Sequence, residues 1–154
     1  MITIGDTLLP EHVMLNLSAA TPEEAISKVT SLLRQDQRIL NWTEFEKEMR
    51  AHPPCRVAGA ADFGICVPHA RTEAVSGMVM SAGRFVVPVL FQECPKPVRY
   101  IFCLGIPKTM AADYLRIAGS LMRIFTDPET EGILAQTKSR EEFITALEHL
   151  EVKL

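Results

Sequence analysis

The stretch VRYIFCLGI, residues 98–106, is the part of the sequence that decides the fold. In an extended chain, successive side chains point to opposite faces. One face then carries Tyr100, Phe102 and Leu104, and the other carries Ile101 and Cys103. Both faces are apolar, and this is typical of a strand in a sheet that is covered on both sides.

Two further strands are predicted before this one, over residues 64–67 and 77–85. Both are short apolar runs that begin at a glycine. Pro88, Pro95 and Pro97 interrupt the chain between residues 77–85 and the strand at 98–106, because proline cannot donate a ladder hydrogen bond.

Helices are predicted on either side of the strands in the sequence. Thr21 can cap the first helix, Pro22 suits its first position, and Glu24 completes a capping box. A second helix is predicted over residues 43–50, and Pro53 follows it. The coarse order of helices, strands and helices favours an α/β fold with a central sheet.

The C-terminal part is also predicted to be helical. A helix with an apolar stripe is expected over residues 111–125, and Asp127 with the following proline opens a shorter one. Ser139 and Glu142 form a second capping box at the start of the last helix.

Length and composition predict one globular, soluble domain over residues 1–154. The net charge is −3 and no five like charges are consecutive, so nucleic-acid binding is not expected. There is no apolar run of about 18 residues and no signal-like start, so we expect a cytoplasmic protein without direct membrane insertion. The four cysteines form no CxxC pair, and we expect reduced thiols.

The stretch GICVPHARTE, residues 64–73, holds the candidate site. Pro68 lacks the N–H that a strand needs, so the sequence predicts that the chain leaves the sheet there. His69 should then lie at the rim, where ligands of open α/β sheets bind.

The run GICVPHA, residues 64–70, closely resembles the active-site signature of type-2 EIIA domains, the mannitol/fructose family of the bacterial phosphoenolpyruvate:sugar phosphotransferase system. The resemblance covers nearly the whole chain. It implies a single α/β domain with a central mixed β-sheet flanked by helices on both faces.

The resemblance also implies a function. His69 would be the catalytic residue, accepting a phosphoryl group from phospho-HPr and passing it to an EIIB protein or domain. A membrane EIIC permease would act downstream in sugar uptake. No cofactor and no metal are implied.

The residues around His69 suit this chemistry. A neutral imidazole is nucleophilic near pH 7, and phosphoryl transfer chiefly needs positioning and charge stabilisation. Arg50, Arg56 and Arg71 oppose Asp62 between residues 50 and 71, a local charge of +2. The family usually has an arginine at the end of the helix before the motif. Arg50 is the preferred match, with Arg56 and Arg71 as the other candidates for binding phosphate.

The resemblance departs from the family pattern at two positions. Several members carry a second histidine on the helix after the last strand, where this chain has Tyr114. Tyr114 would contact His69 or the phosphate through its hydroxyl, or simply pack. Cys66 replaces the usual alanine, and positions 66 and 69 on a strand should face opposite sides.

Two alternatives remain open from the sequence. One keeps the fold and His69 but makes the protein a regulator whose phosphorylation state controls partner binding. The other is a metal or thiol site built from Cys66, His69 and another cysteine, which is weak because structural zinc takes four ligands.

Overall fold

The computed structural model describes residues 2–51, 63–92 and 96–153, and these build a β-sheet with helices on both faces. In chain order the elements are α1 (Ile4–Thr7), β1 (Leu8–Leu17), α2 (Pro22–Ser31), α3 (Trp42–Ala51), β2 (Gly64–Cys66), β3 (His69–Arg71), β4 (Val79–Val89), β5 (Val98–Ile106), α4 (Ala111–Thr126), α5 (Thr130–Ala135) and α6 (Arg140–Val152). The predicted strand at 98–106 is confirmed residue for residue as β5.

The sheet is mixed, as the resemblance implied. Its strands are ordered β1-β4-β5-β2, and β3 also pairs with β5. β4 is antiparallel to β5, whereas β1 is parallel to β4 and both β2 and β3 are parallel to β5. β5 therefore lies inside the sheet, and β2 with β3 follows one of its edges.

The two apolar faces of β5 belong to two separate hydrophobic clusters. Tyr100, Phe102 and Leu104 pack with residues of α4 and α6. Ile101 and Cys103 pack with residues of α2 and α3 on the other side. This confirms the prediction of a strand covered on both faces. Within the described part of the chain, no helix has the length and apolar character needed to cross a membrane.

The predicted N-caps form at two helices, but the predicted capping boxes do not close, because the carboxylates of Glu24 and Glu142 accept the N–H groups of Ala20 and Lys138 instead of those of the N-cap residues. The hydroxyl oxygen of Thr21 accepts from the Glu24 N–H at 3.1 Å at the start of α2. At α6, Ser139 Oγ accepts from the Glu142 N–H at 3.1 Å.

At α5 the N-cap residue is Glu129. Asp127 accepts the Glu129 N–H at 2.9 Å, so it closes the preceding turn instead of capping the helix.

The predicted order of helices before strands is wrong at the N-terminus. α1 and the ten-residue β1 precede α2, and no strand was expected there. Pro10, Glu11 and His12 interrupt the apolar pattern of β1, which is held by parallel pairing with β4 far along the sequence. Such a long-range partner leaves no local signal in the sequence.

β4 begins two residues later than the predicted start and ends at Val89, beyond the predicted end at Phe85. Pro88 was expected to break the strand, but it falls where the register of β4 against β5 shifts, between Arg84 and Val89. A proline is tolerated at such an irregularity because it interrupts few ladder hydrogen bonds there.

Candidate functional site

The prediction that the chain leaves the sheet at Pro68 is wrong. Cys66 pairs with Ile101 and His69 pairs with Leu104, so the same register continues across the proline. The Pro68 carbonyl still accepts the N–H of Leu104 at 2.9 Å. A proline removes a donor but keeps its acceptor, so one ladder bond is lost and pairing resumes. His69 is thereby fixed on a strand along the sheet edge.

The strand alternation sets which side of the sheet His69 faces. Ala70 is buried in the cluster with α2 and α3. Its neighbours His69 and Arg71 therefore face the opposite side, where α4 lies. Cys66 belongs to the same cluster as Ala70. The prediction that Cys66 and His69 lie on opposite faces is confirmed, and this geometry argues against a shared metal or thiol site.

Of the two cysteines that the structure describes, one departs from the predicted reduced thiols. Cys66 is disulfide-bonded, whereas Cys103 is a buried free thiol. Burial raises the pKa of the Cys103 thiol to about 12, so this cysteine stays protonated. The expectation of reduced thiols throughout is therefore wrong for Cys66.

The half-buried His69 ring contacts both its own strand and α4. Its Nδ1 lies 3.2 Å from the carbonyl oxygen of Val67. The Tyr114 hydroxyl lies 3.3 Å from Nδ1 and 3.4 Å from Nε2. The two rings are 4.7 Å apart between centroids, with planes inclined by 31°. Since the lone-pair directions of the two nitrogens diverge, the hydroxyl can make a well-aligned hydrogen bond to at most one of them.

The Tyr114 hydroxyl thus lies against the His69 ring, as the predicted role in contacting His69 requires. Burial raises the pKa of the Tyr114 hydroxyl. The group therefore remains a neutral donor and acceptor across the physiological range. It can form a hydrogen bond with the imidazole without adding a negative charge beside the ring.

A surface cavity of about 260 Å³ opens in front of the His69 ring. It is lined by His69, Arg71, Ile106, Ala111, Tyr114 and Leu115. Ala111 is the first residue of α4, and Met110 at the N-cap supplies no side-chain hydrogen bond to the first turn. The backbone N–H groups of that turn therefore keep donor capacity near the cavity, where the helix dipole favours an anion.

Arg71 lies on the same strand face as His69 and lines the same cavity. Its Nε and Nη2 atoms donate to the backbone carbonyl of Lys108 at 3.3 and 3.0 Å. These bonds occupy one edge of the guanidinium and hold it beside the ring. The remaining N–H groups can bind an anion, because a guanidinium carries five donors.

The preferred arginine of the sequence analysis, Arg50, does not line this cavity. Arg50 lies in the last turn of α3 and forms an ion pair with Glu46 at 3.6 Å. Arg56 lies outside the described residues. Among the described residues it is His69, Arg71 and Tyr114 that come together.

Four contributors to the site were not predicted: Ile106, Ala111, Leu115 and the backbone carbonyl of Lys108. The Lys108 carbonyl carries no signal in its residue type. Ala111 lies three residues before Tyr114 on α4, and this helical spacing marks it as a neighbour of Tyr114. Leu115 is adjacent to Tyr114 in the sequence, and no spacing rule brings it to the same cavity.

Comparison with known proteins shows the family. Residues 7–150 match the family model described as phosphoenolpyruvate-dependent sugar phosphotransferase system, EIIA 2. The chain belongs to this family. Over 80 residues it is 29% identical to the fructose-specific EIIA component of the phosphotransferase system of Haloferax volcanii, covering 51% of this chain and 52% of that protein. The chain thus matches about half the length of this curated relative.

Solved structures share the fold. The nitrogen regulatory protein IIA-Ntr of Neisseria meningitidis superposes with a TM-score of 0.81 at 22% identity, covering 94% of this chain and 98% of that one. The mannitol IIA enzyme of Escherichia coli, solved in complex with phosphorylated mannitol IIB, gives 0.74 at 21% identity, with 93% and 98% covered. At these identities the likeness establishes the architecture, a mixed sheet flanked by helices.

Proposed function

We propose that this chain is a phosphoryl carrier of the sugar phosphotransferase system. His69 accepts a phosphoryl group from phospho-HPr and passes it to an EIIB protein or domain, with a membrane EIIC permease downstream. The carrier acts in the cytoplasm. The observation that carries the proposal is the His69 ring facing an open cavity with Arg71 and Tyr114 beside it, in a chain of the EIIA 2 family.

The hydrogen bond to Val67 favours Nε2 as the accepting nitrogen. A neutral ring that donates its Nδ1 proton to the Val67 carbonyl keeps its lone pair on Nε2. The bond between phosphorus and the donor's nitrogen breaks as the bond to Nε2 forms. The transfer involves no oxidation or reduction. The histidine ring of the donor takes up one proton as the His69 ring releases one.

The groups around the ring can stabilise the transferring phosphoryl oxygens. The transition state of phosphoryl transfer is loose and spreads negative charge over those oxygens, so positioned donors do most of the work. Arg71 supplies a held guanidinium, and the first turn of α4 supplies backbone N–H groups. The Tyr114 hydroxyl supplies one more donor.

Arg50 and Arg56 remain proposed phosphate-binding residues. The Arg50 ion pair with Glu46 lies at the surface and at 3.6 Å. Such exposed pairs are worth about 0–1 kcal/mol, so Arg50 could exchange Glu46 for a phosphate oxygen at little cost.

The test is phosphorylation in a reconstituted chain of reactions. Incubation with phosphoenolpyruvate, enzyme I and HPr should add about 80 Da in an acid-labile form, the mass of one phosphoryl group. His69→Ala should remove this addition, and the matched control His149→Ala, an exposed histidine on α6, should keep it. A wild-type protein of unchanged mass would refute the carrier.

A second step of the same experiment separates the carrier from a regulator that uses the same histidine. Isolated phosphorylated protein is mixed with an EIIB acceptor. A carrier loses its phosphoryl group to EIIB, and the mass moves with it. Stable retention on His69 in the presence of EIIB would favour the regulatory role.

A further inference from the structure

Leu115 is exposed at the rim of the His69 cavity. Its relative exposure is 67%. Of the large exposed hydrophobic side chains in residues 2–51, 63–92 and 96–153, Leu115 alone lines this cavity. It follows Tyr114 on α4, so it stands at the outer edge of the surface that a molecule reaching His69 must cross.

Any phosphoryl donor or acceptor protein must cover this cavity. Direct transfer requires the two reacting nitrogens to approach a common phosphorus atom, with the attacking and leaving atoms in line. Closing the site also excludes water, which would otherwise compete for the phosphoryl group. A leucine at the rim would then be buried against the partner while His69 reacts.

The cavity beside this apolar side chain contains a cationic group. Arg71 lines the cavity, and the backbone carbonyl of Lys108 holds its guanidinium in place. The Lys108 ammonium pairs with Glu73 at 3.8 Å and lines a neighbouring cavity, so the positive charge beside His69 comes from Arg71. An apolar contact beside positive charge is complementary to a protein that presents a phosphorylated side chain within an apolar surface.

We infer that Leu115 is the apolar anchor through which a phosphohistidine-bearing carrier protein docks over His69. The inference rests on the proposed function and deepens it, because it assigns the binding of the partner to a residue that does not touch the reacting atoms. Interfaces of transient carriers are small, and a few central residues supply most of their affinity.

Leu90 offers a matched control on the same protein. It is a leucine with 75% relative exposure, and it follows Val89, which pairs with Val98. His69 pairs with Leu104, so six residues of β5 separate the two positions, about 20 Å at the usual rise of a strand. A carrier docked over His69 would therefore leave Leu90 uncovered.

The experiment compares Leu115→Gln, Leu115→Met and Leu90→Gln with the wild type. Glutamine is neutral, so it removes the apolar contact without adding a charge next to the phosphoryl group. Initial rates are measured with phospho-HPr as a varied substrate, and in parallel with phosphoramidate, a small donor that needs no docking. Thermal melts of all variants confirm that each is folded.

Leu115→Gln should raise the KM for phospho-HPr about 10-fold, the loss expected for a small hot spot. Its rate with phosphoramidate should fall by much less than its kcat/KM with phospho-HPr, because the small donor needs no docking surface. Leu115→Met should restore the KM, and Leu90→Gln should leave it unchanged.

Three results with the variants would overturn the inference. They are an unchanged KM in Leu115→Gln, an equal rise in Leu90→Gln, or a loss in Leu115→Gln that is as large with phosphoramidate as with phospho-HPr. Wild-type protein that reacts with phosphoramidate but not with phospho-HPr would also overturn it while keeping His69 as an acceptor. A wild type that reacts with neither donor would instead refute the proposed function, and the inference with it.

Discussion

Replacing Tyr114 with phenylalanine isolates the contribution of one hydroxyl to the reactivity of His69. The substitution keeps the ring that lies 4.7 Å from the imidazole and removes the oxygen that lies 3.3 and 3.4 Å from its nitrogens. These distances are long for an O–H donor, whose usual range ends near 3.0 Å. The hydrogen bond therefore belongs at the weak end of the range for buried pairs.

The expected loss follows from that geometry. A weak hydrogen bond is worth about 0.5–1 kcal/mol, which is about a 2- to 5-fold slower phosphorylation of His69. Tyr114→Ala also removes the ring contact, worth about 0.5–1.5 kcal/mol more, so its loss should be about 5- to 70-fold. Because burial raises the pKa of the Tyr114 hydroxyl, the hydroxyl stays protonated and the Phe effect should not change between about pH 6 and 9.

The assay follows phosphorylation of His69 by phosphoramidate with intact-protein mass spectrometry, so that partner docking does not contribute. Circular dichroism melts show whether each variant is folded. A Phe variant that is phosphorylated as fast as the wild type would show that the Tyr114 hydroxyl has no role in the proposed site. A Phe variant as slow as the Ala variant would mean that the ring contributes nothing and that the geometric reasoning is wrong.

Three further predictions concern packing, charge and pH. Gly105→Ala should lower the free energy of unfolding by about 1–3 kcal/mol in urea, because the new Cβ would lie 2.7 Å from the Phe45 ring. Gly132→Ala, with no atom within 4 Å, should be neutral or stabilising, and equal losses at both glycines would contradict the packing argument. Arg71→Ala should slow phosphoryl transfer about 10-fold or more without changing the melting temperature. An unchanged rate would mean that another arginine, not Arg71, binds the phosphate. Burial, partly opposed by Asp36, lowers the pKa of His12 below 6.5, so the unfolded chain binds protons first and stability should fall as the pH drops below about 6.5. His12→Gln should weaken that loss in urea titrations at pH 5 and 7.5, and an identical pH dependence would refute the assignment.

Elements whose signals are local can be predicted from the sequence alone. Alternating apolar side chains over residues 98–106 specify β5 and its two covered faces, since the period of a strand is set by the backbone. Thr21 and Ser139 begin their helices because each hydroxyl accepts the backbone N–H of the residue three positions later, and such a bond depends only on neighbouring residues. The motif around His69 likewise marks the proposed phosphoryl acceptor without reference to any tertiary contact.

The set of residues that surrounds His69 depends on packing between segments that are distant in the sequence. Tyr114 lies 45 positions further along the chain and reaches the ring because α4 packs on the face of the sheet that His69 points to. The β1 strand and the continuation of the edge strand past Pro68 depend on partners in β4 and β5. Such pairings are favourable only after the chain has brought distant segments together, so no short stretch of sequence contains them.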